Sequence, residues 1–423
     1  MPPPLSHSPR RVVVVGAGAA GTIAAIFAAT AGAETTLLER TRDGGRKILI
    51  SGGGRCNILP MRVDESRFVT DSSPNVLRKI LRSWPHAGQR AFFENELRIP
   101  LAEEVESSKL FPVSNKARDV RDGLLAYAER GGATIRMNTV VVGFSRTESD
   151  WRVECDGAPA IDADALVIAT GGLSVPNTGS DGLGLRELAK LGHVIHPVYP
   201  ALTPLTAVDS PFAALSGVSL NVALSARDDG AKRSATARGG FLFTHQGYSG
   251  PSVLDVSHVA VRSRAKSAGS DAPARLTVQW TELGAAEWEV ALRPQGSRTV
   301  IGALRAALPD RLAAVLLTIA RVDPTRVLAE LRRDERLRLI ETLVSGELPW
   351  TGDEGYRKAE VTGGGVSLAE VDPRTMESRR HAGLYVCGEV LDAFGPVGGY
   401  NFLWAWATGR AAGLGAATDS ATR

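Results

Sequence analysis

An α/β fold is predicted for this chain, with a parallel-sheet domain interrupted by antiparallel and helical segments. Three observations carry that expectation. A short β-branched run, Val12–Val15, leads straight into a glycine-rich turn and an alanine-rich stretch, the order of a buried parallel strand followed by a helix. The same order returns near the other end, where the run Gly383–Cys387 precedes a helix opening at Gly399. Between the two, residues 203–281 carry short alternating segments and residues 299–346 carry leucines at helical spacing.

Taken in order, the first ten residues are rich in Pro and Ser and are expected to be irregular. Val12–Val15 is the first strand. Gly16-Ala17-Gly18-Ala19-Ala20-Gly21 is the turn, and Thr22–Ala31 is the helix, ended by Gly32. Thr35–Leu38 is the second strand, ending at Glu39, which closes a strand–helix–strand unit of about 30 residues. Helices are expected over 74–98 and 117–130, and strands over Thr134–Phe144, Trp151–Cys155 and Ala165–Ala169. Pro197 and Pro200 mark a boundary. Beyond it, Ser219–Leu224, Gly240–Phe243 and Leu276–Trp280 read as strands of an antiparallel sheet or small barrel. Leu304, Leu308, Leu312 and Leu316, then Leu328, Leu331, Leu339 and Leu343, keep helical spacing. The charged run Arg332–Arg336 reads as a solvated helix face. The two ends therefore form one discontinuous domain, 1–197 with 355–423. Residues 198–298 with 347–354 form a β-barrel-like insertion, and 299–346 form a helical subdomain within it.

Bulk properties exclude several classes. The 423 residues hold 49 basic and 46 acidic side chains, a net charge of +3, which gives no argument for nucleic acid or a membrane surface as partner. The expected partner is a small-molecule substrate; oligomeric state is not readable. Cys56, Cys155 and Cys387 are far apart, so there is no CxxC and no metal-ligand spacing. A reducing, cytoplasmic setting is expected. The segment MPPPLSHSPRR has no apolar signal core, and the longest apolar run, Ile23–Ala29, is far short of a membrane span.

The glycine turn carries chemistry because of where it sits. Gly16 permits a tight turn, Gly18 lets backbone approach a pyrophosphate, and Gly21 lets helix and strand pack closely. Ala19 and Ala20 open the helix, whose free N–H groups and positive dipole end suit phosphates. Glu39 can accept a ribose diol, and its charge would repel a 2′-phosphate, so FAD or NAD is expected rather than NADP. Arg40 and Val141 complete the expected nucleotide contacts. Two later segments favour FAD. Ala165–Gly172, ALVIATGG, is a strand ending in small residues, with Thr170 and Gly171 beside the nucleotide. GLYVCGEVLD puts Gly388 and Glu389 at a strand end, where Glu389 can bind a ribityl chain. Gly399, Tyr400 and Asn401 then open a helix whose N-terminus could face the flavin N1–C2=O edge and raise its reduction potential.

VVVVGAGAAG at 12–21, GRKILISGGGRCNI at 45–58, LFTHQGYSGPSVL at 242–254 and GLYVCGEVLDAFGPVGGYNFLWAWATGRAAG at 383–413 resemble a family of bacterial flavoproteins. That family includes an aminoacetone oxidase and a bile-acid-pathway reductase, within the glutathione-reductase-like superfamily. The resemblance implies FAD and a Rossmann-type FAD-binding domain interrupted by a β-barrel-like domain and a helical subdomain. In this setting Arg46 and Lys47 either bind FAD phosphates or brace the sheet. Gly52, Gly53 and Gly54 would let backbone approach the cofactor. Asn57 either bonds the flavin edge or caps a turn. Cys56 lacks the second cysteine of a disulfide reductase, since Met61 stands five residues on, so no dithiol relay is expected. His245 is the candidate acid or base, with a hinge histidine as its structural alternative. There is no second strand–GxGxxG–helix unit, so NADH or NADPH would dock only transiently. The expected function is a soluble FAD-dependent oxidoreductase passing hydride through flavin N5. The alternatives are an NAD-dependent dehydrogenase using only the N-terminal motif and a non-catalytic flavin-binding module.

Overall fold

The computed structural model describes residues 8–266 and 273–418. They form two compact units, one of residues 1–198 with 361–423 and one of residues 199–360. No described helix is long and apolar enough to cross a membrane.

The first unit is built on five parallel strands. In chain order they are β1 (Arg11–Val15), β2 (Glu34–Leu38), β3 (Thr134–Arg136), β4 (Ala165–Ile168) and β5 (Leu384–Val386), arranged β5-β4-β1-β2-β3 across the sheet. Every residue of β4 and β5 is buried, as are Val12–Val15 of β1. That explains their unbroken apolar runs, because a parallel sheet covered on both faces has no polar side. Each such valine or leucine contributes about 1.5–3 kcal/mol on burial. Helix α1 (Ala19–Thr30) and the long C-terminal helix α2 (Tyr400–Ala417) pack on each other at very short range. A Cβ on Gly409 would lie 2.4 Å from Ala20 O, and one on Gly413 would lie 2.3 Å from Ala24 O. The contact is backbone against backbone, and it draws the C-terminal segment onto the first turn of α1.

Two sequence expectations split in the structure. The single strand expected over 134–144 is two. Thr134–Arg136 joins the parallel sheet, whereas Val141–Arg146 pairs with Trp151–Cys155, and that strand with Ala158–Ala163, in a separate antiparallel sheet. Asn138 turns the chain between them at φ 52°, a conformation Asn tolerates better than most residues. The helix expected over 74–98 ends at Arg82 and restarts at His86. Pro85 has no N–H to continue the ladder. A three-stranded antiparallel sheet of Leu59–Pro60, Lys109–Pro112 and Leu101–Glu104 was not foreseen.

The second unit is a seven-stranded sheet. From edge to edge it runs Gly346–Glu347, Arg275–Gln279, Ser219–Asp228, Arg233–Phe243, Gly247–Ser249, Leu205–Thr206 and Gly352–Asp353. The sequence reading separated helical residues 299–346 from this sheet. In the structure both draw on one apolar cluster, in which Leu316 and Leu339 are buried together with Phe243 and Trp280. Helix Pro251–Lys266, absent from the sequence reading, packs on the long hairpin of that sheet.

Candidate cofactor site

The C-terminal ends of β1, β2, β4 and β5 lie along one edge of the parallel sheet, the edge at which open parallel sheets bind ligands. The turn after β1 is tightly fixed. Gly16 has φ 103°, and its N–H donates to Leu38 O at 2.8 Å. A Cβ on Gly21 would lie 1.9 Å from Gly16 O, so only glycine lets α1 start this close to the strand. Gly18 differs. It is the N-cap of α1 at φ −79°, and a Cβ there would meet no atom of the chain within 4 Å. The space over Gly18 is left open by the protein at the positive end of a helix whose first turn has no acidic residue.

Glu39 ends β2 and is buried. Its Oε2 accepts the Ala17 N–H at 2.9 Å, and its Oε1 accepts the Thr41 N–H at 2.8 Å and the Thr41 hydroxyl at 2.7 Å. Oε2 keeps acceptor capacity for a hydroxyl donor. The carboxylate therefore ties the glycine turn to the second strand and can still accept a diol. Thr139 N–H donates to Glu39 O at 2.8 Å, which brings buried Val141 two residues further along.

The C-terminal segment reaches the same turn. Gly388 has φ 81°, and a Cβ on it would lie 2.8 Å from Ala20 Cβ. Its N–H is held by Thr408 Oγ1 at 3.0 Å and its carbonyl by Trp404 Nε1 at 3.1 Å, both from α2. Next to it Glu389 accepts from Lys47 Nζ at 2.6 Å, Ser174 Oγ at 2.5 Å and Thr362 N–H at 3.0 Å. Lys47 also donates to Ser174 Oγ at 2.6 Å. Lys47, expected to bind phosphate or brace the sheet, and Glu389, expected to bind a ribityl chain, are thus an ion pair with each other. Arg46 and Arg40 are turned to protein partners, Asp43 at 2.7 Å and Asp181 at 2.5 Å. Both pairs are partly exposed and contribute little to stability. Thr170 and Gly171 follow β4, and Gly171 has φ 73°, with Ser180 packed 2.9 Å from where its Cβ would be.

The three glycines Gly52, Gly53 and Gly54 are exposed, at φ 56°, 67° and 85°. Asn57 beyond them is buried, and in the amide orientation that satisfies both its atoms it donates to Leu59 O at 3.1 Å and accepts from Gly399 N at 2.9 Å. These bonds tie the turn to the start of α2. Gly399, at φ 90°, sits where a Cβ would lie 2.5 Å from Leu59 C. Tyr400 is buried; its hydroxyl donates to Arg62 O at 3.3 Å. Asn401 bonds Gly395 through both amide atoms, at 2.9 and 3.0 Å. These two side chains therefore brace loops at the start of α2.

Cys56 is fully buried at φ 62°, and burial pushes its thiol up to about 12. Cys387 is also buried, and its thiol is raised for the same reason. Cys155 is half-buried. Cys56 therefore stays in the thiol form near neutral pH. The expected result with a thiol-specific reagent is slow modification of Cys155 alone in the native protein, and of all three cysteines after denaturation. Rapid native labelling of Cys56 would overturn the passive reading of that residue.

His245 lies on an exposed turn of the second unit, between Arg233–Phe243 and Gly247–Ser249. Sequence reasoning missed Ser174 and Thr362, the residues that complete the Glu389 network. No motif marks them, because their partner lies 215 and 27 residues away along the chain. It also missed the buried Asp392, which accepts from Thr70 Oγ1 at 2.9 Å, Asp71 N–H at 2.9 Å and Ser72 Oγ at 2.7 Å. Burial raises that acid, and the cluster straps residues 70–72 to the C-terminal segment.

A turn that leaves room over Gly18, an acceptor at Glu39 and a polyol-competent carboxylate at Glu389 fit a dinucleotide with a ribityl chain. A ribosomal RNA dihydrouridine synthase of Escherichia coli K12 is 32% identical over 94% of this chain and 95% of its own length. A 3-dehydro-bile acid delta(4,6)-reductase of Clostridium scindens is 30% identical over 96% of this chain and 99% of its own length. Among solved structures, a 3-ketosteroid-delta4-(5alpha)-dehydrogenase of Rhodococcus jostii RHA1 aligns over 98% of this chain and 99% of its own, at 16% identity and a TM-score of 0.46. Residues 10–415 match the family described as HI0933-like protein Rossmann domain. The chain belongs to this HI0933-like family of FAD-binding Rossmann oxidoreductases.

Proposed function

We propose that the chain is an FAD-dependent reductase that adds hydrogen across a carbon–carbon double bond conjugated to a carbonyl in a small organic molecule. The observation that carries the FAD reading is that Gly388 meets Ala20 on the first turn of α1 while its neighbour Glu389 is held by Lys47. A dehydrogenase using only the N-terminal motif would leave that second segment without a role. The reaction class draws on the two relatives. A uracil ring and a 3-oxo-4,6-diene both place the reducible double bond in conjugation with a carbonyl. Residues 199–360 hold 20 Lys and Arg against 18 Asp and Glu, which is not the basic footprint of an RNA-binding unit. That balance favours a small substrate over ribosomal RNA.

FAD, when bound, supplies the hydride chemistry. The α1 N-terminus and the backbone at Gly18 hold the pyrophosphate, and Glu39 holds the adenosine ribose. Glu389 takes the ribityl hydroxyls, while Lys47 keeps that carboxylate neutralised. The α2 N-terminus would face the pyrimidine edge of the ring. NADH or NADPH docks transiently as the reductant.

The test is anaerobic reduction of the purified yellow protein. NADH or NADPH is expected to bleach its absorbance near ~450 nm, and a cyclic enone to restore it. A short uridine-containing RNA and a panel of amines are the other arms. Bleaching by amines, with no recovery on adding enones, would replace the reductase with an oxidase. Recovery with RNA alone would replace the small substrate.

A further inference from the structure

We propose that Lys109 is the cation of the cofactor site, and that its ammonium stabilises the negative charge the flavin gains on reduction. The assignment rests on the FAD reading above and names a residue that reading does not use. Lys109 begins the central strand of the small antiparallel sheet and faces Pro60. Its Cε lies 3.8 Å from the position a Cβ on Gly398 would take. The side chain thus reaches Gly398, two residues before α2. It is half-buried.

Two features of that position are unexplained by the fold. First, a cation beside the positive end of a helix is unfavourable by a few tenths to about 1 kcal/mol. Lys109 stands by the start of an 18-residue helix whose first turn holds no acidic residue. Second, its cross-strand partner is shared: Glu104 feels the Lys109 charge but accepts its hydrogen bonds from others. Glu104 faces Lys109 across the two strands, but that carboxylate bonds Arg55 at 2.8 Å and the Ser107 hydroxyl. Among the described residues no hydrogen bond or ion pair holds the Lys109 ammonium. An anion that both the helix end and the lysine can share resolves both features. Reduced FAD is such an anion. Two electrons and one proton convert neutral isoalloxazine to a singly charged form, with the charge on the N1–C2=O edge. The ammonium and the helix end then act in the same direction.

The test compares Lys109→Met and Lys109→Arg with the wild type as holoproteins. FAD affinity is titrated first. The midpoint potential is then measured by dithionite titration against a reference dye. The Met variant is expected to bind oxidised FAD within about three-fold of wild type. It should lose at least ten-fold in its preference for reduced over oxidised FAD, which lowers the potential by about 30 mV. The Arg variant should stay within about three-fold of wild type in that preference. A purely structural lysine would move stability and leave the potential unchanged. A Met variant that holds FAD at the wild-type potential overturns the assignment while the FAD reading stands. A wild-type protein that takes up no FAD overturns both.

Discussion

Gly21→Ala is expected to abolish the folded, flavin-loaded protein, whereas Gly18→Ala is expected to fold and bind FAD far more weakly. At position 21 the new methyl carbon would sit 1.9 Å from Gly16 O and 3.0 Å from Ala169 Cβ. The first of these is backbone, fixed by the Gly16 N–H bond to Leu38 O. Relief requires α1 to move off β1, which also pulls α1 from Gly409 and Gly413 of α2. Overpacking alone costs about 1–3 kcal/mol, and a clash relieved only by moving α1 away from both β1 and α2 costs more. Against a typical stability of about 5–15 kcal/mol, loss of the soluble fold is the expected outcome. At position 18 the backbone is extended, at φ −79° and ψ −170°, and the space is open. An alanine there should change the stability of the apoprotein by less than about 1 kcal/mol. The same methyl group would stand where the pyrophosphate must approach. FAD affinity should fall about 100-fold, or about 2.7 kcal/mol. Thermal unfolding of the apoproteins and fluorescence titration with FAD separate the two effects. A Gly18→Ala protein that binds FAD as tightly as wild type would falsify the pyrophosphate assignment.

The contrast between these two glycines shows what a sequence can and cannot carry. Both stand in one GxGxxG motif, and the motif assigned them different duties from the local order of strand, turn and helix. Those duties are short-range, so they are legible. The same holds for β4 and β5, whose continuous apolar runs admit only a doubly covered strand. The ion pair of Lys47 with Glu389 is of another kind. Its partners lie 342 residues apart, and each has a plausible ligand role when read alone. Only the fold shows that they neutralise each other and share Ser174. Asn57 is similar. Its sequence context offered flavin or turn, and its partner Gly399 arrives from the far end of the chain. The helix Pro251–Lys266 was missed for a simpler reason. It packs against the sheet on several sides, with Val253, Val256, Val259 and Ala260 all fully buried, and its β-branched residues read as easily for strand.

Gly399→Ala should cost about 4 kcal/mol or more of stability in the first unit, the second of the two largest effects expected. Two costs combine. An alanine held at φ 90° is strained by about 1–2 kcal/mol. Its Cβ would also lie 2.5 Å from Leu59 C and 2.7 Å from Pro60 N. Neither atom can retreat freely, because Leu59 pairs with Leu110 and Pro60 with Lys109 in the small sheet, and Asn57 bonds both Leu59 and Gly399. Two comparison variants separate strain, hydrogen bonding and steric overlap. Gly53→Ala has a similar positive φ of 67°, yet its Cβ meets nothing within 4 Å, so it should cost only the strain of about 1–2 kcal/mol. Asn57→Ala leaves the Gly399 N–H and the Leu59 carbonyl unpaired, which should cost about 1–3 kcal/mol. Urea midpoints of the apoproteins are expected to fall least for Gly53→Ala and most for Gly399→Ala. Because Gly399 also sets the direction of the α2 N-terminus, residual folded Gly399→Ala protein should hold FAD weakly. A Gly399→Ala midpoint no lower than that of Gly53→Ala would mean that the close approach of α2 to Leu59 and Pro60 is not what fixes this end of the site.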